Sequence, residues 1–172
     1  ASTEEAQVTV ALQVAEQIVT ALKDGIFINA VNVPALNKET LQKLENYIRL
    51  GEKIGYFIAQ LIESPIRKLK IKYSGEDLIK EDLAPVTTAM VKGLLDYISD
   101  TPANYINALS ILKDMEVEMV ESKVSEVHDY SSLITLEAVC EEETRKISGT
   151  IFGKKQMRIA RIDDYSVDLN AE

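Results

Sequence analysis

The stretch SLITLEAVCEEETRKISGTIFGKKQMRIARIDDYSVDLN, residues 132–170, decides the fold. Its apolar residues come in short runs rich in β-branched side chains. The runs are broken at Glu141-Glu142-Glu143, Gly153-Lys154-Lys155 and Asp163-Asp164. Such runs read as strands, and links this short read as hairpins. With one further run upstream, the expected strands are 116–123, 132–140, 144–152, 156–162 and 165–169, joined as an antiparallel meander.

Upstream of this region the period changes. Lys68, Lys70 and Lys72 alternate with Leu69, Ile71 and Tyr73, the pattern of a half-buried strand. Before it, Leu41, Leu44, Ile48, Gly51, Gly55, Ile58 and Ile62 form a one-sided stripe that predicts a helix over 39–63, ended by Ser64-Pro65. Two glycines on that stripe cost about 1 kcal/mol each in helix propensity. They therefore imply a close neighbour, with packing inside the chain favoured over a self-association seam. Ser74-Gly75-Glu76 reads as a turn. Pro85 suits N1 of a third helix whose apolar face is Ala89, Met90, Gly93, Leu94 and Tyr97. Thr101-Pro102 then resets the chain for a short helix through Ile106, Leu109 and Leu112.

At the N-terminus, Ser2 and Glu5 fit a capping box, and Val8, Ala11, Ala15, Ile18 and Leu22 predict a helix over 3–23 ended by Lys23 and Gly25. Residues 26–36, with Pro34, read as an extended connector, so this helix is expected to stand apart from the body. Helices precede a run of strands without βαβ alternation. The fold class is therefore α+β: a largely antiparallel sheet with helices packed on one face, preceded by a separate N-terminal helix.

At 172 residues and 46% hydrophobic, the chain suits one domain, or one domain with an appendage. It shows no apolar span of membrane length and no secretory signal at Ala1-Ser2-Thr3-Glu4-Glu5. A start without Met reads as an internal cut. The single cysteine, Cys140, excludes an internal disulfide and suggests a cytoplasmic setting. A net charge of −9 argues against general nucleic-acid binding. Within that acidic chain lie two acid-free basic clusters, Arg67, Lys68, Lys70 and Lys72, and Lys154, Lys155, Arg158 and Arg161. Each is readable as a small-anion site or as a solvated strand face.

Enzyme chemistry finds no foothold in these residues. No glycine-rich phosphate loop of either nucleotide-binding type occurs. His128, the only histidine, sits beside Asp129 in an expected exposed loop, with no nucleophile placed near it by any motif. Cys140 precedes three glutamates whose charge disfavours a thiolate. No carboxylate pair has the apolar setting that tunes a general acid.

Short matches in a fixed order carry more than any single motif. They are ASTEEAQ at 1–7, NAVN at 29–32, LGEKIGYFIAQL at 50–61, YSGE at 73–76 and KGLL at 92–95. They continue with NYINA at 104–108, ESK at 121–123, SGTIFG at 148–153 and RIARIDDYSVD at 158–168. Taken in order, they resemble the long-form D-3-phosphoglycerate dehydrogenases. The resemblance implies that residues 1–28 are the last helix of a catalytic core with its connector, and that 29–172 are the intervening, or allosteric substrate-binding, domain.

In the parent enzyme this implies an oxidoreductase of serine biosynthesis using NAD, with no cofactor held by this fragment. The implied partners are the catalytic core and a following ACT domain of the same chain, further copies in a homo-oligomer, and a small phosphate-like anion. Lys123, Arg158 and Arg161 are the residues the resemblance and the basic clusters together nominate for that anion, and the Lys68, Lys70, Lys72 face is a second choice. A ligand-free structural spacer that also contributes an oligomer contact is the alternative function. A partner of the iron-sulfur L-serine dehydratases ranks behind both, since one cysteine cannot hold a cluster. Cut from its core, the N-terminal helix is expected to project or to pair across a dimer.

Overall fold

The alternating Lys strand and the five C-terminal runs all form, and hydrogen bonding joins them into one six-stranded sheet. The structure is a computed structural model that describes residues 4–24, 38–127, 129–153 and 155–171. The strands are β1 (Ile66–Ser74), β2 (Glu118–Val124), β3 (Leu133–Cys140), β4 (Thr144–Phe152), β5 (Gln156–Ile162) and β6 (Tyr165–Asn170), in the order β2-β1-β3-β4-β5-β6. The helices are α1 (Glu4–Asp24), α2 (Lys38–Ala59), α3 (Ala84–Ile98) and α4 (Ala108–Asp114), and one 3-10 turn covers Leu78–Lys80.

The meander holds from β3 to β6, where each strand pairs antiparallel with the next. It fails at β2. That strand is separated from β3 by β1, which pairs antiparallel with β3 and parallel with β2. The segment carrying α3 and α4 is thus a crossover between two parallel strands, a βαβ unit the sequence reading did not anticipate. The reason is physical: a period-two strand looks alike whether its neighbour runs parallel or antiparallel.

The sheet has one helical face. Leu69, Ile71, Tyr73, Ile134, Leu136, Ala138, Ile147, Met157 and Ile159 point into it and are buried with Leu50, Ile54 and Ile58 of α2 and Met90 and Leu94 of α3. Gly149 on β4 lets α2 come down onto the sheet, because a Cβ there would lie 2.9 Å from Ile54 Cδ1 and 3.0 Å from Leu50 Cδ1. Tyr73, fully buried, donates to Thr87 Oγ1 of α3 at 2.8 Å, and Thr87 in turn donates to the Glu121 carboxylate on β2. Two strands and a helix are thereby tied through one hydroxyl relay, which satisfies a phenol that burial would otherwise penalise. Tyr73 ionisation is pushed far up by that burial.

The helix stripe is explained by how α2 meets α3. A Cβ on Gly55 would sit 1.9 Å from Met90 O, and one on Gly93 would sit 2.0 Å from Glu52 O. The seam is therefore internal to the chain. Around it, Lys92 Nζ donates to Glu52 Oε1 at 2.8 Å and to Asp96 Oδ2 at 2.6 Å, and Tyr105 Oη donates to Glu52 Oε2 at 2.6 Å.

Smaller differences follow from packing. Tyr97 is exposed and stacks edge-on against Tyr56 at 5.8 Å between centroids. In α4 the buried residues are Ala108 and Leu112, while Leu109, and Ile106 in the turn before the helix, are exposed. Pro85 lies one position inside α3, whose first residue is Ala84, and the Asp82 carboxylate accepts from the Ala84 N–H at 3.1 Å. The Asp163 link turns in the left-handed region at φ 51°, which Asp tolerates, and its carboxylate accepts from the Lys146 N–H at 2.8 Å.

The chain divides into two compact units, Ala1–Lys38 and Glu39–Glu172. In the first, α1 presents Val8, Val10, Leu12, Val14, Ile18 and Val19 as exposed side chains. The expected capping box at Ser2 and Glu5, the Gly25 ending and the connector at 26–36 lie outside the described residues. No described helix is long and apolar enough to cross a membrane.

Candidate functional site

The face of the sheet opposite the helices carries the chain's concentrated basic side chains. Register fixes which residues share it. Tyr73, Ile134, Gly149 and Ile159 oppose one another on the helical face, so the residues between them point outward. On β1 these are Lys68, Lys70 and Lys72. On β4 they are Lys146, Ser148 and Thr150.

On β5 the alternation breaks. Gly149 opposes Ile159, yet the next residue back along β4, Ser148, opposes Arg161, which leaves Ala160 as an extra residue in a β-bulge. Strict period two would put Arg158 and Arg161 on opposite faces. The bulge puts both on the outer one, opposite Thr150 and Ser148, about 7 Å apart along the strand direction. Beneath them Ser148 and Thr150 are only 2% and 1% exposed although they lie on the open face. Ser148 Oγ is hydrogen-bonded to Thr135 Oγ1 at 2.9 Å, and Thr150 Oγ1 donates to Ser132 O at 2.6 Å.

Arg158 is half-buried and reaches Asp168 of β6 at 3.7 Å, a long contact that leaves most of its donors open. Arg161 makes no ion pair or hydrogen bond through its side chain among the described residues. Two guanidiniums on one face, over a floor of satisfied hydroxyls, form the best-defined cation pair here. Guanidiniums bind oxyanions by paired N–H donors, so a phosphate or carboxylate fits their chemistry.

Lys123 is set apart from them. It opposes Tyr73, so it projects on the helical face, where its Nζ donates to Glu81 O at 3.3 Å. β2 and β5 also stand at the first and fifth positions of the sheet, roughly 19 Å apart at about 4.8 Å per strand. The three nominated residues share a sheet but do not converge within one chain. On the second-choice face, Lys68 pairs with Glu118 at 2.9 Å and Lys70 with Glu137 at 2.6 Å. Among the described residues, Lys72 alone on that face has no carboxylate partner.

Two other sequence candidates resolve simply. Burial pushes the Cys140 thiol up, and the Glu143 carboxylate adds to that, so it is a poor nucleophile. His128 and Lys154 lie outside the described residues. The bulge at Ala160, which unites the arginine pair, has no sequence signal: Arg158-Ile159-Ala160-Arg161 reads equally well as a regular strand.

A family model described as the D-3-phosphoglycerate dehydrogenase intervening domain matches residues 43–163. A D-3-phosphoglycerate dehydrogenase of Methanocaldococcus jannaschii is 36% identical over 100% of this chain, which covers 32% of that protein. The Synechocystis D-3-phosphoglycerate dehydrogenase is 32% identical over 98% of the chain and 30% of its own length, and that of Bacillus subtilis is 28% identical over 98% and 32%. The chain thus spans about a third of the length of the curated relatives it matches.

Proposed function

Because the chain belongs to the D-3-phosphoglycerate dehydrogenase intervening-domain family, we propose that it is a non-catalytic regulatory and assembly domain of an NAD-dependent dehydrogenase of serine biosynthesis, binding a phosphate-like anion at Arg158 and Arg161. Residues 1–28 are then the terminal helix of the catalytic core with its connector, and residues 29–172 the intervening domain, in a cytoplasmic enzyme. Oxidation and NAD belong to the core, since no glycine-rich loop for a dinucleotide occurs in this sequence.

One observation carries the anion reading: the bulge at Ala160 turns Arg158 and Arg161 to the same open face. A regular strand would waste the pair. Lys123, on the other face of a distant strand, takes no part in this site within one chain. The spacer reading has its own support, because Lys68, Lys70 and Arg158 each already face a carboxylate.

Isothermal titration separates the two. Inorganic phosphate is expected to bind the chain, and the Arg158→Ala/Arg161→Ala variant to bind about a hundredfold more weakly, since each lost charge-assisted contact is worth about 1.5 kcal/mol or more. Lys123→Ala is expected to bind as the parent does. No binding to the parent chain, or equal binding by the double variant, favours the spacer.

A further inference from the structure

We propose that the outer edge of β2 is a self-pairing surface: two copies of this chain join there, antiparallel about a two-fold axis at Ser122, into one continuous sheet. This goes beyond anion binding and stands without it. β2 is a terminal strand, so one side of its backbone has no partner in the sheet. It runs from Glu118 to Val124 in unbroken register with β1, without proline or bulge. Met119 and Val120, on opposite faces, are 37% and 41% exposed. An edge of this kind is normally blunted.

The charges on β2 name the occupant. The Gly75 N–H donates to Val124 O at 3.0 Å, so the Val124 backbone groups face β1. Alternation turns those of Ser122 and Val120 the same way, and those of Met119, Glu121 and Lys123 outward. With the axis at Ser122, Glu121 meets Lys123 of the second copy as a hydrogen-bonded pair, and Lys123 meets its Glu121 in the same way. Val120 then meets Val124 twice on the outer face. Glu118 falls opposite Glu126, beyond the end of the strand.

Neighbouring registers are worse. An axis at Glu121 opposes two carboxylates, one at Lys123 opposes two ammoniums, and one at Val120 sets Glu121 against Met119. Opposite charges facing across a strand pair stabilise and like charges destabilise. The same Glu121 and Lys123 that repel an unrelated edge therefore select a second copy of this one. A two-fold contact of this kind is closed and self-complementary.

Sedimentation equilibrium of the full chain tests the pairing. The wild-type chain is expected to dimerise reversibly. Lys123→Glu and Glu121→Lys are each expected to raise the dissociation constant about tenfold or more, and the double swap to bring it back to within about threefold. An independent test uses the axis itself. Facing residues of a non-hydrogen-bonded pair have Cα atoms about 4.5 Å apart, within disulfide range. Ser122→Cys should therefore cross-link under mild oxidation, and Ser166→Cys on β6 should not. A wild-type monomer, single variants that dimerise unchanged, a double swap as weak as the singles, or cross-linking at Ser166 instead would each overturn the proposal. Phosphate titration of the same variants is expected to match the parent chain, so this edge and the arginine site fail or stand separately.

Discussion

Replacing Gly93 by alanine is expected to lower the folding stability of the 39–172 unit by about 3 kcal/mol or more, and Gly55→Ala to do the same. On propensity alone each change should help, since alanine is favoured over glycine within a helix by about 1 kcal/mol. Sterics decide the sign. The added methyls would lie 2.0 Å from Glu52 O and 1.9 Å from Met90 O, both backbone atoms that cannot swing aside. To make room, α2 and α3 must separate and the core beneath them must open. Gly51 is the internal control: its Cβ would meet Val86 O at 3.1 Å and Met90 Cγ at 3.2 Å, contacts that a helix shift of a few tenths of an ångström with a small movement of Met90 relieves, so the change stays within about 1 kcal/mol. Urea unfolding reads the difference as a midpoint lowered by roughly 1 to 2 M for Gly93→Ala and Gly55→Ala. Midpoints equal to that of the parent would mean that the helices do not cross this closely.

The second large effect is expected at Lys92→Met, about 2 kcal/mol at neutral pH. Lys92 is 18% exposed and bridges Glu52 and Asp96, with its ammonium 5.7 Å from the Tyr105 ring. Breaking a fully buried pair costs more, about 3–5 kcal/mol. Here Glu52 keeps some solvent and the Tyr105 hydrogen bond, so the lower figure applies. The pH dependence follows from the two shifts. Burial would raise the Glu52 carboxyl above its usual 4.5, but the hydrogen bonds from Lys92 and Tyr105 outweigh it and hold the group lower. Its contribution is thus present above the unfolded value and is lost as pH falls through the folded one. Burial would likewise lower Lys92 from 10.5, but Asp96 and Glu52 hold it higher. That contribution is full below 10.5 and is lost as pH rises through the folded value. The difference between parent and variant should therefore be greatest between these limits and shrink below about pH 4. A difference that stays constant down to acid pH would show that the pairing of Lys92 with Glu52 is not the source of the loss.

Local pattern made the strands legible, and long-range order stayed hidden. The four hairpinned strands from 132 onward could be read because each link is too short to reach anywhere but an antiparallel neighbour. The insertion of β1 between β2 and β3 could not, since nothing in Lys68 to Lys72 records which strand lies on either side. The stripe through Gly51 and Gly55 implied a close neighbour, and Gly93 supplied it from a helix far along the chain. Of the three nominated cations, Arg158 and Arg161 share a face only because of a bulge at an unremarkable alanine. Lys123 lies on the other face of β2, a placement that only the register with β1 reveals. Family resemblance ran ahead of geometry: the ordered matches pointed to the domain, whereas only strand pairing revealed which faces its charges occupy.

Backbone amide spectra of the isotope-labelled chain during titration with inorganic phosphate give the most direct test of the anion-binding role. Saturable shifts confined to Ser148, Thr150, Arg158, Arg161 and Asn170 are predicted, because these residues line the outer face where β4, β5 and β6 meet. Shifts that are absent, that never saturate, or that centre on Lys68 to Lys72 would contradict it.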